Sequence, residues 1–177
     1  RTTVINSGSV GVAPGTSITG SYKVVAGTTE INTPLANQCN NDALAAYNKA
    51  AGLQCDFVIQ GGDLGGRTLQ PGVYCSSSAM LTSSNVVTLD AQGDEDAEWV
   101  FQTDASAIGF NMKLTNGAKA RNVYWAVGSS ATIEKFSNVF GNFLAQVSIT
   151  FGSSAVLEGR VLSKILCCFI VIFCPFS

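Results

Sequence analysis

Histidine is absent from this 177-residue chain, and that absence excludes several chemistries at once. Without imidazole there is no Ser-His-Asp or Cys-His nucleophile, no His-ligated zinc and no histidine general base. Charge is scarce too. Ten Lys and Arg against twelve Asp and Glu leave a net charge of −2, and charged residues make up only 12% of the chain. That is about half the usual share, and the balance leaves no basic footprint for nucleic acid or an anionic membrane. Four prolines and eighteen glycines fit neither a Pro-rich linker nor a collagen repeat. No cysteine pair has C-x-x-C spacing and no Asn-x-Ser/Thr site occurs, so zinc-ribbon, thioredoxin-type and N-glycan readings have no support.

With 46% hydrophobic residues the chain is not disordered. Its length suits one domain with a buried core. The polar surface must then come from neutral groups such as Thr16, Ser17, Thr19, Ser76–Ser78, Ser129, Ser130, Thr132, Ser153 and Ser154. A hydroxyl-rich, charge-poor surface points to neutral matter: sugar, another protein or structured water.

Both ends are unusual. The chain starts at Arg1 rather than Met, as a processed product or a fragment does. Lys164–Ser177 is a continuous apolar run with three of the six cysteines. It is shorter than the roughly 20 residues of a membrane span. It reads either as a buried final strand or as a non-native tail from a mis-spliced coding sequence. Of the other cysteines, Cys39 and Cys55 flank the stretch expected to be helical and could bridge its ends in a secreted protein, with Cys75 left over.

Residues 4–31 read as short strands broken by glycine. A helix is expected over about 42–51, capped by Asn40, Asn41 or Asp42 and stopped by Gly52, with Leu44, Tyr47 and Ala51 on the stripe that packs on a sheet. From residue 53 short apolar segments alternate with Gly, Ser and Asn. Val100–Gln102, Tyr124–Val127 and Leu144–Val147 look like equivalent strands about 20–24 residues apart, the rung length of a three-strand β-solenoid. Gly-Ser-Ser-Ala occurs at 128–131 and again at 152–155. A sandwich or jelly roll fits the strand count as well. In the solenoid, Val123, Trp125 and Val127 point inward and their neighbours form an outer wall.

Candidate reactive groups are few. Asp94, Glu95, Asp96 and Glu98 could hold a carboxylate pair for glycoside cleavage, but Asp90–Asp94 has turn composition and Trp99-Val100-Phe101 begins a strand. Gly61–Gly66 has no nucleotide-loop register and no P-loop lysine.

Long motifs then carry a resemblance. They are Gly11–Gly20 (Gly-Val-Ala-Pro-Gly-Thr-Ser-Ile-Thr-Gly), Gly62–Tyr74, Thr88–Asp94, Trp99–Gln102, Leu114–Ala118, Asn122–Thr132 and Gly159–Leu162. In this order they resemble the microbial ice-binding (antifreeze) protein family of polar algae, diatoms, fungi and bacteria, over about residues 4–163. The resemblance implies a mostly β protein: a right-handed discontinuous β-helix of triangular section with one α-helix alongside. It implies a secreted monomer that adsorbs to ice, with no catalysis, cofactor, metal, nucleic acid or membrane span. The runner-up readings are a secreted β-helix enzyme acting on polysaccharide and an adhesive surface module.

Carried onto this chain, the family's outward positions fall on Thr16 and Thr19. Its loosely repeated Thr-x-x-Thr/Asn stretch falls on Lys135–Asn138 and Ser153–Val156, giving Ser137, Asn138, Ser153 and Ser154 as candidate ice contacts. Lys135 and Phe136 interrupt the first copy and Val156 replaces a hydroxyl in the second. The expected face is therefore irregular. The family's usual strand before residue 4 is missing and its polar closing rung is replaced from Ile165 onward, so residues 1–163 are expected to be the domain and 164–177 an aberrant tail.

Overall fold

The computed structural model describes residues 3–15, 17, 22–82, 85–109 and 111–163, and the backbone of 168–169. Most of the apolar tail therefore lies outside the described residues, as do Thr16 and Thr19.

Four short strands come first: Thr3–Ile5 (β1), Val10–Val12 (β2), Tyr22–Val24 (β3) and Thr29–Ile31 (β4). The helix α1, Pro34–Ala51, follows. The remaining strands are Phe57–Val58 (β5), Thr68–Leu69 (β6), Gly72–Ser76 (β7), Met80–Leu81 (β8), Val87–Asp90 (β9), Trp99–Thr103 (β10), Ala107–Gly109 (β11), Met112–Thr115 (β12), Val123–Val127 (β13), Ala131–Ile133 (β14), Asn138–Ala145 (β15), Ile149–Phe151 (β16), Val156–Ser163 (β17) and Cys168–Phe169 (β18). The fold is mostly β with one α-helix, as expected.

After α1 the chain passes repeatedly through three sheets in a fixed order. Their strand orders are β4-β2-β18-β17-β15-β13-β10-β7-β5, β16-β14-β11-β8 and β12-β9-β6, with β1 and β3 paired separately. Every pairing is parallel except the two made by β18. Parallel pairing between successive passes gives each residue the same neighbour type above and below, so ladders form. Phe57, Tyr74, Phe101, Trp125 and Phe143 stack with ring centroids 4.8, 5.5, 4.0 and 5.4 Å apart. Such pairs contribute about 0.5–1.5 kcal/mol each beyond their buried area. Val123, Trp125 and Val127 are all fully buried, as their alternation requires.

The passes are unequal. Gly72 pairs with Trp99, Trp99 with Val123, Tyr124 with Asn142 and Asn142 with Arg160, giving rungs of 27, 24, 18 and 18 residues. Tyr124 is thus partnered by Val100 and Asn142, and Leu144 by Ala126, a shift of two from the equivalence expected of Leu144. The short rungs omit the loops that join β9 to β10 and β12 to β13. In them β15 and β17 bend directly from one sheet into the next at Gly141 and Gly159, both at positive φ. A Cβ on Gly159 would overlap the Gly141 carbonyl oxygen, so only glycine allows the two bends to nest.

The helix begins earlier than expected. Thr33 accepts a hydrogen bond from the Ala36 N–H at 3.2 Å, and Pro34 occupies the first turn. A threonine cap followed by proline needs no further start signal, so Asn40–Asp42 lie inside α1. Its buried residues are Ala36, Ala43 and Ala50, while Leu44 is 39% exposed and Ala51 is also exposed; of the expected stripe only Tyr47 faces the sheet. Seven helical residues rise about 10.5 Å, close to two strand spacings of about 4.8 Å. The alanines therefore settle repeatedly over the sheet: Ala50 against Val100 and Ala126, Ala36 near Gly11.

The longer helix also decides the cysteines. Cys39 lies within α1, twelve residues and about 18 Å before its end, so it does not flank the helix as expected. Cys55 bonds to Cys75 instead, with their Cα atoms 5.9 Å apart. This ties the segment leaving α1 to β7.

Candidate functional site

Three outer surfaces follow from the three sheets, and their outward ladders differ. On the nine-stranded sheet, Val73, Val100, Ala126, Leu144 and Leu162 face α1 and are covered by it. Gln102 fixes the helix end by donating to the Ala50 and Leu53 carbonyls at 2.7 and 3.0 Å. This surface is used up in holding the fold together.

On the three-stranded sheet and the adjoining halves of β15 and β17, the strands carry Asp90, Lys113 and Glu158. The step from long to short rungs opens a groove of about 400 Å³ there, lined by Lys113, Leu114, Asn138, Phe140, Val156 and Glu158 among others. This surface is charged and stepped.

Among the described residues nothing covers the four-stranded sheet, and its strands carry no charge. Its strands β8, β11, β14 and β16 contain no ionisable residue. Ala107, Met80 and Ala131 face inward and are fully buried, with Ile149 aligned to them. The outward ladder is Leu81, Ile108, Thr132 and Thr150, in direct register. A second column lies beside it. The backbone carbonyls of Ser106, Ser130 and Ser148 accept in turn from the N–H groups of Met80, Ala107 and Ala131, and the Ser130 and Ser148 hydroxyls hydrogen-bond at 3.0 Å. Strand spacing and pleat make this a grid of about 4.8 by 6.6 Å. Asp63, bridged to Leu81 at one end, turns its carboxylate back onto the Gly65 N–H.

The expected contacts among the described residues lie off these strands. Ser153 and Ser154 are exposed, but in the turn that leaves β16. Asn138 is exposed at the start of β15, on the charged side. Ser137 is 4% exposed and cannot be an outward contact: it closes the turn, its N–H donating to the Glu134 carbonyl. The structure thus gathers these four at one corner, three in turns and Asn138 at the start of β15, rather than on the four-stranded sheet. The outward columns of the four-stranded sheet also leave a trace in the sequence. Ser130-Ala131-Thr132 and Ser148-Ile149-Thr150 form a Ser-x-Thr repeat at 18 residues, preceded by Ser106-Ala107-Ile108. The duplicated Gly-Ser-Ser-Ala is out of register, since Ser130 aligns with Ser148 and Ile133 with Phe151.

The acidic segment is a turn. Asp94 accepts from the Asp96 N–H at 2.9 Å and Glu95 pairs with Lys119. That bond and charge hold the Glu95 carboxyl below its ordinary range. The Gln92 N–H, then the Asn116 amide, do the same for Asp90. Burial, helped by Asp56, pushes the Tyr74 hydroxyl up to about 12; it donates to the Gln70 carbonyl at 2.7 Å. Among the described residues no three Cys, Asp or Glu side chains form a metal-binding group, and no helix is long and apolar enough to cross a membrane.

A family model described as ice-binding-like matches residues 1–166. An ice-binding protein of Nostoc sp. (strain HG1) is 41% identical over 92% of this chain and 64% of its own length. One from Leucosporidium sp. (strain AY30) is 36% identical over 70% of this chain and 48% of its own. The chain therefore spans about half to two thirds of these relatives. The crystal structure of an ice binding protein from an Antarctic biological consortium matches with a TM-score of 0.83 at 38% identity, over 93% of this chain and 78% of that one.

Proposed function

Since the chain belongs to the ice-binding-like family, we propose that it adsorbs to ice and inhibits ice growth and recrystallisation through the outward face of β8, β11, β14 and β16. One observation carries the reading: this is the surface that is at once uncovered, free of charged strand residues and ruled in register by hydroxyl and methyl groups.

Ice and liquid water share one chemistry, so recognition must come from position. Methyl and isobutyl-sized groups at Ile108, Thr132 and Thr150 favour cage-like water. The Ser130, Ser148 and Thr hydroxyls anchor that water by hydrogen bonds. The parallel ladders hold the array rigid before binding, so little entropy is lost on adsorption. Strongly hydrated ions would disrupt such a layer, and the strands carry none. Ser153, Ser154 and Asn138 rim the sheet at its corner, and the resemblance adds Thr16 and Thr19 as contacts. The changeover from Ile108 to Thr132 and Thr150 makes the face chemically uneven, in keeping with moderate activity.

The coil is a right-handed, discontinuous β-helix of triangular section, with residues 1–163 acting as one unit. The order β4-β2-β18-β17 supports the discontinuity: the first strands join the end of the sheet opposite β5, and α1 spans between the two ends. The protein works outside the cell as a monomer, without cofactor or catalysis. The Cys55–Cys75 bond fits an oxidising compartment, and the acidic turn is engaged by its own backbone and by Lys119 of the next rung.

The test is ice adsorption and recrystallisation inhibition of Thr132→Tyr and Thr150→Tyr, with Lys113→Tyr on the charged sheet as control. Loss in the first two with an unchanged circular dichroism spectrum is expected. Equal activity in all three would move the contact off this sheet.

A further inference from the structure

One exposed side chain next to this sheet sits on strained backbone. β14 ends at Ile133 and the chain turns over Glu134–Ser137, closed by the Ser137 N–H on the Glu134 carbonyl. The third residue of that turn, Phe136, has φ +62°. The next rung repeats the turn: the Ala155 N–H bonds to the Gly152 carbonyl, and Ser154 has φ +61°. Phe136 also donates its N–H to the Ser153 carbonyl, so the two turns are stacked.

Left-handed backbone at the third position of a turn suits Gly or Asn and is a strained place for a bulky residue. The other non-glycine residues with positive φ among the described residues are Asn32, Gln92, Asn116 and Ser154, all polar. Phe136 alone is aromatic. Burial of the ring would explain the strain, but Phe136 is 68% exposed, more than any other exposed large hydrophobic residue described. Strain held without compensating burial is a mark of a surface with a task.

Its surroundings indicate the task. Thr132, four residues before it, belongs to the outward ladder, and Phe151, 37% exposed, ends the adjacent strand β16. The Phe136 ring adds apolar area at the corner of the sheet, beside the exposed Glu134 and Lys135 of the same turn and on the side away from the serine column, while Phe151 pairs with the inward Ile133.

We infer that Phe136 is a contact residue for ice-ordered water, widening the adsorbing surface beyond β14 and so helping to set which ice surface is bound. This rests on the reading of the four-stranded sheet as the adsorbing face. The ring contributes apolar area that orders water where the hydroxyl grid stops.

The experiment compares Phe136→Asn and Phe136→Gly with Thr132→Tyr and the unaltered protein, reading thermal hysteresis, the ice-plane labelling pattern of fluorescently tagged protein, and Tm. Asn and Gly both accept the left-handed conformation. Both variants are expected to keep or raise Tm by up to a few degrees, to lose about half or more of the hysteresis as apolar contact area goes, and to change the labelled planes. Full hysteresis with unchanged labelling would overturn the inference, and so would a fall in Tm, which would make the ring a packing element. If Thr132→Tyr abolishes hysteresis while the Phe136 variants keep it, the inference alone fails. If Thr132→Tyr keeps hysteresis while the Phe136 variants lose it, the sheet reading fails and the corner itself is the contact.

Discussion

The nine-stranded and four-stranded sheets are built by one rule and end in opposite conditions. Both stack in parallel register, and both send inward side chains into the same core, buried except at the last rung, where Ile149 and Phe151 are partly open. They part at the outward column. Val100, Ala126, Leu144 and Leu162 make one sheet sticky enough to hold a helix, and the alanines of α1 let that helix come close. Ile108, Thr132 and Thr150 make the other too polar to recruit a helix and too regular for an ordinary loop surface. A single exchange of side-chain type at alternate positions thus separates a surface that stabilises the protein from one left bare.

The shared core offers the hardest way to break this contrast. Trp125→Ala removes the middle of the aromatic ladder, and a loss of about 3–5 kcal/mol is expected in denaturant unfolding. Both faces should fail together, since Phe101 and Phe143 support each through the same rungs. Retention of full stability would mean that the ladder is not the common support.

A narrower break acts on the covered side. Ala43→Leu forces α1 off the sheet, and about 1–3 kcal/mol of overpacking is expected. Ice adsorption of the folded fraction should not change, because the bare sheet lies on another side of the coil. If adsorption fell in step with stability, the two faces would not be independent.

Smaller still is the cap. Thr33→Ala leaves the Ala36 N–H without its partner and should lower stability by about 1 kcal/mol, measurable as a shift in Tm. The smallest effect is acid sensitivity. The carboxyls of Asp90 and Glu95 titrate below their ordinary range. Their stabilisation is therefore present above the unfolded-state values and is lost as pH falls through the folded ones, from about pH 5 downward. Both are exposed, so only a slight drop in Tm is expected. Asp90→Asn with Lys119→Ala should flatten it while leaving the four-stranded sheet's adsorption at neutral pH untouched.

Much of the fold was legible in single stretches. Alternation alone assigned Val123, Trp125 and Val127 to the core, and the turn composition of Asp90–Asp94 matches the turn found there. The helix was found but cut short, because Asn40–Asp42 mimic a cap while Thr33-Pro34, the true start, stands in a polar loop. The site was the least legible. Ser153 and Ser154 look like the Ser-x-Thr columns in composition, and only the pairing of Ile133 with Phe151 shows that they have already turned the corner.

The amino-acid sequence by itself determined the period of the strands, the scarcity of charge, the exclusion of imidazole chemistry and the motifs of an ice-binding family. These are local properties of one stretch of chain at a time. Which outward column is covered, which is charged and which is bare was decided only in the tertiary structure. That outcome depends on aligning rungs of 27, 24, 18 and 18 residues and on where α1 lies. A slip of one residue in either would turn an inward side chain outward, and no local pattern records the alignment.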